Sequence, residues 1–321
     1  MQFLSFADPL VVIVGPTAVG KSAFAIALAQ KLDGEIVSAD SRLFYRGMDI
    51  GTAKPSLKDR ECVPHHLIDV AEPDEPWSLV LFQEQARKVI SSIHARNKLP
   101  FLVGGTGQYI QAVLEGWQAP LQQPDLEWRR VLEEWGREIG PRELHARLKL
   151  LDPEAANHIE PGNLRRTVRA LEVIFKSGKR FSEQRLKANS PYSLCIIGLN
   201  RPRVELYARI DDRIDRMVAG GLLDEVKSLL AKGYSPELST LSAIGYREMV
   251  AVQQGEMSLD DAVRQMKRLT RQFVRRQANW FKENDPRIHW VNPDESINAA
   301  VAFIQSGDGW IKKRGDDETQ R

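Results

Sequence analysis

The sequence predicts an α/β protein: a parallel sheet with helices on both faces, interrupted by an all-helical insertion. Three observations carry this. The apolar run Leu10–Val14 leads directly into Gly15-Pro16-Thr17-Ala18-Val19-Gly20-Lys21-Ser22, which opens the alanine-rich stretch Ser22–Lys31. The first third of the chain continues to alternate strand-like and helix-like segments, the pattern of a sheet whose strands run parallel. From Trp117 to about Ser190 the pattern changes, and helical segments follow one another with no strand between them.

The octapeptide Gly15–Ser22 reads G-x-x-x-x-G-K-S. Between a buried strand and a helix this is a P-loop, which makes the core P-loop NTPase-like. Successive backbone N–H groups of such a loop point inward, and the following helix adds its positive end. Gly15, Pro16, Thr17, Ala18, Val19, Gly20, Lys21 and Ser22 are thus candidates for binding a diphosphate or a nucleotide. Lys21 adds a mobile charge, and the Ser22 hydroxyl can hold Mg²⁺. The alternative is a glycine-rich turn that matches by accident.

Next come a second strand, Glu35–Ala39, ending at Asp40, and a third strand or strand-like loop at His66–Val70. Leu79–Ala95 reads as a long helix, and Phe101–Val103 as a short strand that ends in Gly104-Gly105-Thr106-Gly107. In open parallel sheets ligands gather beyond the carboxyl ends of the strands. The P-loop, Asp40 and Thr106 all follow strand ends and are expected in one crevice. Helices are expected at Asp125–Glu138, Pro141–Leu151 and Asn163–Lys176. Leu194–Leu199 is expected to return to the sheet, followed by helices Arg203–Ala219, Leu222–Lys232 and Ser258–Phe281 and a last strand at Ile288–Val291. The division predicted is a catalytic core of residues 1–116 with 193–306, a helical insertion of 117–192, and a disordered polar tail of 307–321. No internal repeat is present.

The chain has 321 residues, enough for about two domains. The formal net charge is only +2, so any nucleic-acid surface has to come from local clustering. Cys62 and Cys195 form neither a C-x-x-C pair nor a disulfide framework, which fits a reducing cytoplasm. The N-terminus lacks the basic start of a secretory signal, and its apolar run is too short to span a membrane. The expectation is a cytoplasmic protein, monomeric, with no membrane association.

The stretch Asp40–Pro55 is dense in functional side chains. Asp40, at a strand end, is placed to accept a proton from an attacking nucleophile, to hold a Mg²⁺ water, or to cap a helix. The glycines of Gly104–Gly107 let the main chain approach a ligand, or simply make a tight turn. His65 and His66 are neighbours on a strand and point to opposite faces, which argues against a shared metal ion. On the last long helix, Arg264, Arg268, Arg271, Arg275 and Lys282 form one basic stripe, with Met266, Leu269, Phe273 and Trp280 opposite. Arg165, Arg169 and Lys176 share a face on the insertion's last helix, with Arg166 beside it and Leu164, Val168, Leu171 and Phe175 as the apolar stripe. Such faces are either solvated or meet a polyanion. Arg209 and Arg213 lie one turn apart and either clamp a diphosphate or pair with Asp211, Asp212 and Asp215.

Taken together, the P-loop, Asp40–Pro55, Pro64–Asp69, Val103–Tyr109, Arg166–Glu172, Ile244–Glu248 and Thr270–Phe281 resemble the tRNA dimethylallyltransferases, also called tRNA isopentenyltransferases. The matches run from about Val11 to Phe281. The resemblance implies transfer of a dimethylallyl group from dimethylallyl diphosphate to N6 of adenosine 37 in tRNA, with Mg²⁺. It implies that the P-loop serves the prenyl donor, and that the insertion grips the anticodon stem-loop. On this reading Asp40 is the general base, while Thr17, Lys21, Thr106 and Arg213 stabilise the leaving diphosphate. Asp40, Ser41, Arg42, Leu43, Thr106, Arg129, Arg165, Arg166, Arg169, Arg271 and Arg275 face tRNA. Two positions depart from the family pattern: many members carry Gln at the position of Leu43 and Leu at that of Gln108. Three rivals share parts of the pattern: a small-molecule kinase, a transferase that prenylates free adenine nucleotides, and a non-catalytic RNA-binding module.

Overall fold

The buried run Pro9–Val14 forms strand β1, and it organises the sheet. The computed structural model describes residues 6–117, 125–184, 190–294 and 297–312. They divide into two compact units, Met1–Leu114 with Ser190–Arg321, and Glu115–Asn189.

In the first unit the chain continues through α1 (Lys21–Lys31), β2 (Gly34–Ser38), α2 (Leu57–Cys62), β3 (His65–His66), α3 (Leu79–Ala95), β4 (Leu99–Val103) and α4 (Gly107–Leu114). The second unit holds α5 (Leu126–Ile139), α6 (Pro141–Leu151), α7 (Pro153–Asn157) and α8 (Leu164–Ser177). The first unit then resumes with β5 (Ser193–Leu199), α9 (Arg203–Ala219), α10 (Leu222–Ala231), α11 (Tyr246–Gln253), α12 (Leu259–Gln277), β6 (Ile288–Val291), α13 (Ile297–Ser306) and β7 (Trp310–Ile311). The sheet runs in the order β3-β2-β4-β1-β5-β6, with β7 added antiparallel to β5. Every other pairing is parallel. All residues of β2, β4 and β5 are buried; β4 and most of β5 read as apolar runs rather than alternating ones, while β2 buries Glu35 and Ser38 as well.

Several elements differ from the sequence expectation. The third strand ends at His66, because Leu67 and Asp69 adopt left-handed backbone (φ 60° and 57°) that no strand accommodates. The last long helix ends at Gln277 rather than Phe281. There Asn279 N and Trp280 N donate to Arg276 O and Gln277 O, the tightened bonds that close a helix. Its buried residues are Ala262, Met266, Val274 and Gln277, whereas Phe273 is exposed. In the second unit the core joins Leu132, Leu144, Leu148 and Ile159 to Val168 and Leu171 of α8. Phe175 is not part of it; the ring is exposed and lies against Trp128, with centroids 5.9 Å apart.

The predicted disordered tail is ordered at its start. Trp310 pairs with Cys195 in the sheet, stacks on Phe6 at 4.9 Å, and donates its indole N–H to Ile304 O at 2.8 Å. One buried aromatic anchors a segment whose composition is otherwise polar; residues 313–321 lie outside those described. Trp310→Ala is expected to cost about 3 kcal/mol of stability, the usual scale for emptying a buried aromatic site. A urea unfolding midpoint unchanged from wild type would show that β7 is only draped on the sheet.

Candidate active site

Register brings the site together. Val103 of β4 pairs with Ile13 of β1 on one side and Ser38 of β2 on the other, so three strands end in one row. The bonds continue past the strands: Ala39 N donates to Val103 O, Gly104 N to Ile13 O, and Thr106 N to Ala39 O. Gly104 is required here, since a Cβ would stand 2.3 Å from Ala39 O. The P-loop, Asp40 and Thr106 thus emerge side by side at the carboxyl edge of the sheet.

The loop from Gly15 to Gly20 leaves β1 through Gly15 at φ 142°, where a Cβ would meet Leu199 O at 2.5 Å. Gly20 begins α1 without a capping side chain, and the first turn holds no acid. The helix therefore offers its N-terminal N–H groups and positive dipole end to an anion. Lys21 Nζ donates to Gly15 O and Pro16 O at 3.0 and 2.8 Å, so the ammonium lies over its own loop. Ser22 is exposed in that first turn.

Asp40 sits at the mouth of the turn after β2. Its Oδ1 accepts Arg42 N at 3.0 Å and its carbonyl accepts Leu43 N, so the carboxylate is oriented by its own turn. Thr106 Oγ1 accepts Ser41 N at 3.2 Å, which ties the β2 turn to the β4 turn. Arg42 reaches away to Thr240 O at 3.2 Å. Gln108 is exposed, and Leu43 is half-buried.

The α9 arginines settle the choice between intrahelical pairing and a role across elements. Asp212 pairs with Arg216, Asp215 with Lys267, and Asp211 with Arg271. Arg209 Nε instead donates to Ala18 O of the P-loop at 2.9 Å, and Arg213 Nη2 to Thr52 O at 3.2 Å. Arg213 and Asp40 are both electrostatic neighbours of Lys21.

Two positions escaped sequence reasoning. Gln277 is buried at the end of α12; its Oε1 accepts Thr17 N at 2.8 Å and its Nε2 donates to Gly105 O at 2.9 Å. One amide thus spans the P-loop and the β4 turn. It lies in the Thr270–Phe281 block, but nothing in a basic helix marks a glutamine as a clasp. Arg201, after β5, donates Nε to Val19 O at 2.9 Å and pairs with Asp294. An adjoining cavity of about 550 Å³ is reached from Gly15, Pro16 and Gln277 and has Tyr207, Phe281 and Trp290 among its walls.

The basic stripe of α12 is partly neutralised, both from within the helix and from α9. Arg264 pairs with Asp261, while Lys267 and Arg271 pair with acids of α9, and Arg271 also lies over the Tyr207 ring. Arg264, Lys267, Arg268, Arg271 and Arg275 line a shallow depression of about 310 Å³. In the second unit Arg129 and Arg169 converge on Glu172, which is fully buried, at 2.8 and 2.9 Å. Burial alone would raise the Glu172 carboxyl, but the two guanidinium groups and Asp125 N hold it below the usual range. Arg129 therefore tethers α5 to α8, while Arg169 pairs within α8 and helps neutralise the same buried carboxylate. Arg165 and Arg166 are exposed, and Lys176 pairs with Asp125. His65 bonds Val63 O, while His66 and Arg96 share the buried Glu35, so the histidine pair has packing roles.

A mainly parallel sheet with an uncapped P-loop helix, and a carboxylate and an arginine converging beside it, defines a P-loop-type α/β protein. The IPP transferase family model matches residues 43–284. A tRNA dimethylallyltransferase of Roseiflexus sp. is 53% identical over 85% of this chain and 90% of its own, and one of Thermomicrobium roseum 48% identical over 94% and 97%. Among solved structures, a full-length tRNA isopentenylpyrophosphate transferase from Bacillus halodurans superposes with TM-score 0.68 at 42% identity, covering 93% of this chain and 95% of that one. A eukaryotic dimethylallyltransferase captured acting on tRNA gives TM-score 0.74 at 29% identity, over 89% and 74%. The chain belongs to the IPP transferase family.

Burial holds the Lys21 ammonium down to about 8, with Asp40 pulling it back up and Arg213 pushing it further down. An unfolded lysine titrates at 10.5. Between these values the unfolded chain binds more protons, so this residue's cost to stability is full below about pH 8 and is relieved as pH rises toward 10.5. An anion in the cradle favours the charged amine. Binding of inorganic diphosphate near pH 9 is expected to take up a proton that Lys21→Met does not, as read by calorimetry in buffers of different ionisation heat. Equal uptake by both proteins would put the Lys21 amine at its ordinary value.

Proposed function

We propose that this chain transfers a dimethylallyl group from dimethylallyl diphosphate to N6 of adenosine 37 in tRNA, releasing diphosphate. The observation that carries the reading is the convergence of the P-loop, Asp40, Thr106 and Arg213 in one crevice of an IPP transferase family member. The adenine amine is a poor nucleophile because its lone pair is delocalised into the ring. Asp40 accepts a hydrogen bond from N6 and takes its proton as N6 bonds to C1 of the allyl group. The C1–O bond breaks, and diphosphate departs with the bonding pair. The first-turn N–H groups of α1, Lys21, Thr17, Thr106 and Arg213 receive the developing charge. The same contacts let ATP compete for the cradle without serving as a substrate.

A Mg²⁺ ion, when bound, neutralises diphosphate charge and makes it a better leaving group. Among the described residues no group of three or more His, Cys, Asp or Glu side chains is arranged to hold a metal ion. The Ser22 hydroxyl, exposed in the first turn of α1, would hold the ion. The adenine leaves the anticodon-loop stack before its amine enters the crevice. Ser41, Arg42 and Leu43 lie beside Asp40 in sequence and meet the base and its neighbours, Leu43 by apolar contact alone. Arg129, Arg165, Arg166, Arg169, Arg271 and Arg275 meet phosphates of the anticodon stem-loop, which position the RNA without reading its sequence.

No described helix is long and apolar enough to cross a membrane. Cys62 and Cys195 are both free thiols, and burial pushes Cys195 up to about 12. Free thiols suit a reducing compartment, and this supports a cytoplasmic location.

The reading is tested by supplying labelled dimethylallyl diphosphate and Mg²⁺ with unmodified tRNA, AMP or ATP in turn. Label is expected in tRNA at adenosine 37 and in neither nucleotide; label in AMP or ATP, or ADP formed in step with product, would overturn it. Asp40→Asn is expected to slow single-turnover transfer by about 10²–10⁴-fold, the scale of a lost general base. tRNA affinity should hardly change. Near-normal chemistry in this variant would remove Asp40 from the role of base.

A further inference from the structure

Arg213 is a charged group with no carboxylate partner among the described residues. Burial disfavours its charged form, and Asp40 is the favourable charge that it senses. The acids of its own helix are engaged by Arg201, Arg216, Lys267 and Arg271. Its direction is set instead by one backbone acceptor, Thr52 O, at 3.2 Å from Nη2. Where that carbonyl points decides where the guanidinium points.

Thr52 belongs to a segment without regular secondary structure, and one side chain gathers it. Glu225 on α10 accepts Asp49 N and Ile50 N at Oε2, at 2.9 and 2.7 Å, and Gly51 N at Oε1, at 3.2 Å. Three successive amides thus close around a single carboxylate, the arrangement of an anion nest. The phenol of Tyr246 donates to the same Oε1 at 2.7 Å. Gly51 rests against the Tyr246 ring, where a Cβ would come within 2.5 Å. Thr52 Oγ1 then donates to Met48 O at 2.7 Å and closes the turn. Glu225 itself is held by its helix, whose residues Leu222, Val226 and Leu229 are buried.

We propose that Glu225 is a positioning residue for diphosphate departure. It moulds the Asp49–Thr52 turn so that the Thr52 carbonyl aims Arg213 at the leaving group. The inference rests on the proposed contact between Arg213 and the donor diphosphate and extends it. A carboxylate suits this task because each oxygen accepts from several donors at once, and bonds to a charged acceptor are the stronger kind. Glutamine cannot substitute: one acceptor oxygen becomes an NH₂ group that faces backbone N–H groups.

The test compares wild type, Glu225→Gln, Arg213→Ala and the double variant. The readouts are single-turnover transfer on saturating tRNA, affinity for inorganic diphosphate with Mg²⁺, and affinity for tRNA. Glu225→Gln is expected to slow transfer and weaken diphosphate binding, each by about tenfold or more, a smaller loss than the roughly 10²–10³-fold of removing a transition-state donor outright. tRNA affinity stays unchanged. In the Arg213→Ala background the same substitution should add less than about twofold, because residues acting through one contact are not additive. Tyr246→Phe keeps the carboxylate and its amide bonds but removes one donor. It should give a smaller loss that also vanishes beside Arg213→Ala, and it serves if Glu225→Gln folds poorly. A loss at Glu225 that adds in full to Arg213→Ala, or no loss in either Glu225→Gln or Tyr246→Phe, overturns the relay and leaves the Arg213 contact standing. An Arg213→Ala protein with normal transfer overturns the Arg213 contact and the relay with it.

Discussion

A phosphate cradle depends on backbone donors that the protein itself leaves unused. A loop that turns its N–H groups inward must turn its carbonyls outward, and buried carbonyls need partners. Here cations take them. Lys21 holds Gly15 O and Pro16 O, Arg209 holds Ala18 O, and Arg201 holds Val19 O. The donors facing the crevice are thereby fixed in direction by groups outside it, with positive charge added around the site. Gln277 is the exception: it takes one loop donor, Thr17 N, and through its own amide N–H joins the P-loop to Gly105 O of the β4 turn.

The same cations make the crevice costly without an anion. Burial strips hydration from both Lys21 and Arg213, and each also faces a like charge: Arg213 disfavours the Lys21 ammonium, and Arg216 the Arg213 guanidinium. Asp40 is the negative group beside both that offsets them, and it is also the proposed base. A diphosphate would relieve this repulsion, and its departure would restore it. Substrate charge, lysine protonation and the orientation of Arg213 are therefore linked through electrostatics at short range.

The basic helices show how one residue type serves two ends. Arg129 and Arg169 hold a buried glutamate inside the helical unit, and Arg271 and Lys267 pair with acids of α9. Arg165, Arg166, Arg268 and Arg275 are exposed, and no carboxylate among the described residues pairs with them. Charge density along a helix does not distinguish these roles; the partner does. The stripe read from Arg264 to Lys282 is thus less free than its spacing suggests, and the cations left unpaired are the better candidates for phosphate contact.

What the sequence determined by itself was the local and the periodic. The run Leu10–Val14, the P-loop, the helices Leu79–Ala95, Pro141–Leu151 and Arg203–Ala219, and the parallel sheet all follow from patterns spanning a few residues. Asp40 and Thr106 could be placed in one crevice because strand ends in a parallel sheet share an edge. Tertiary structure decided whatever depends on residues distant in the chain. Trp310 anchors residues 307–312 because Phe6 and β5 lie beside it, Phe175 and Phe273 stay outside their cores, and Leu67 and Asp69 end a strand through backbone conformation. Gln277 bridges to Thr17, and Glu225 gathers Asp49, Ile50 and Gly51, across more than a hundred residues of chain. A hydrogen bond between such positions leaves no periodicity to read, since its geometry exists only once the sheet and its helices have packed.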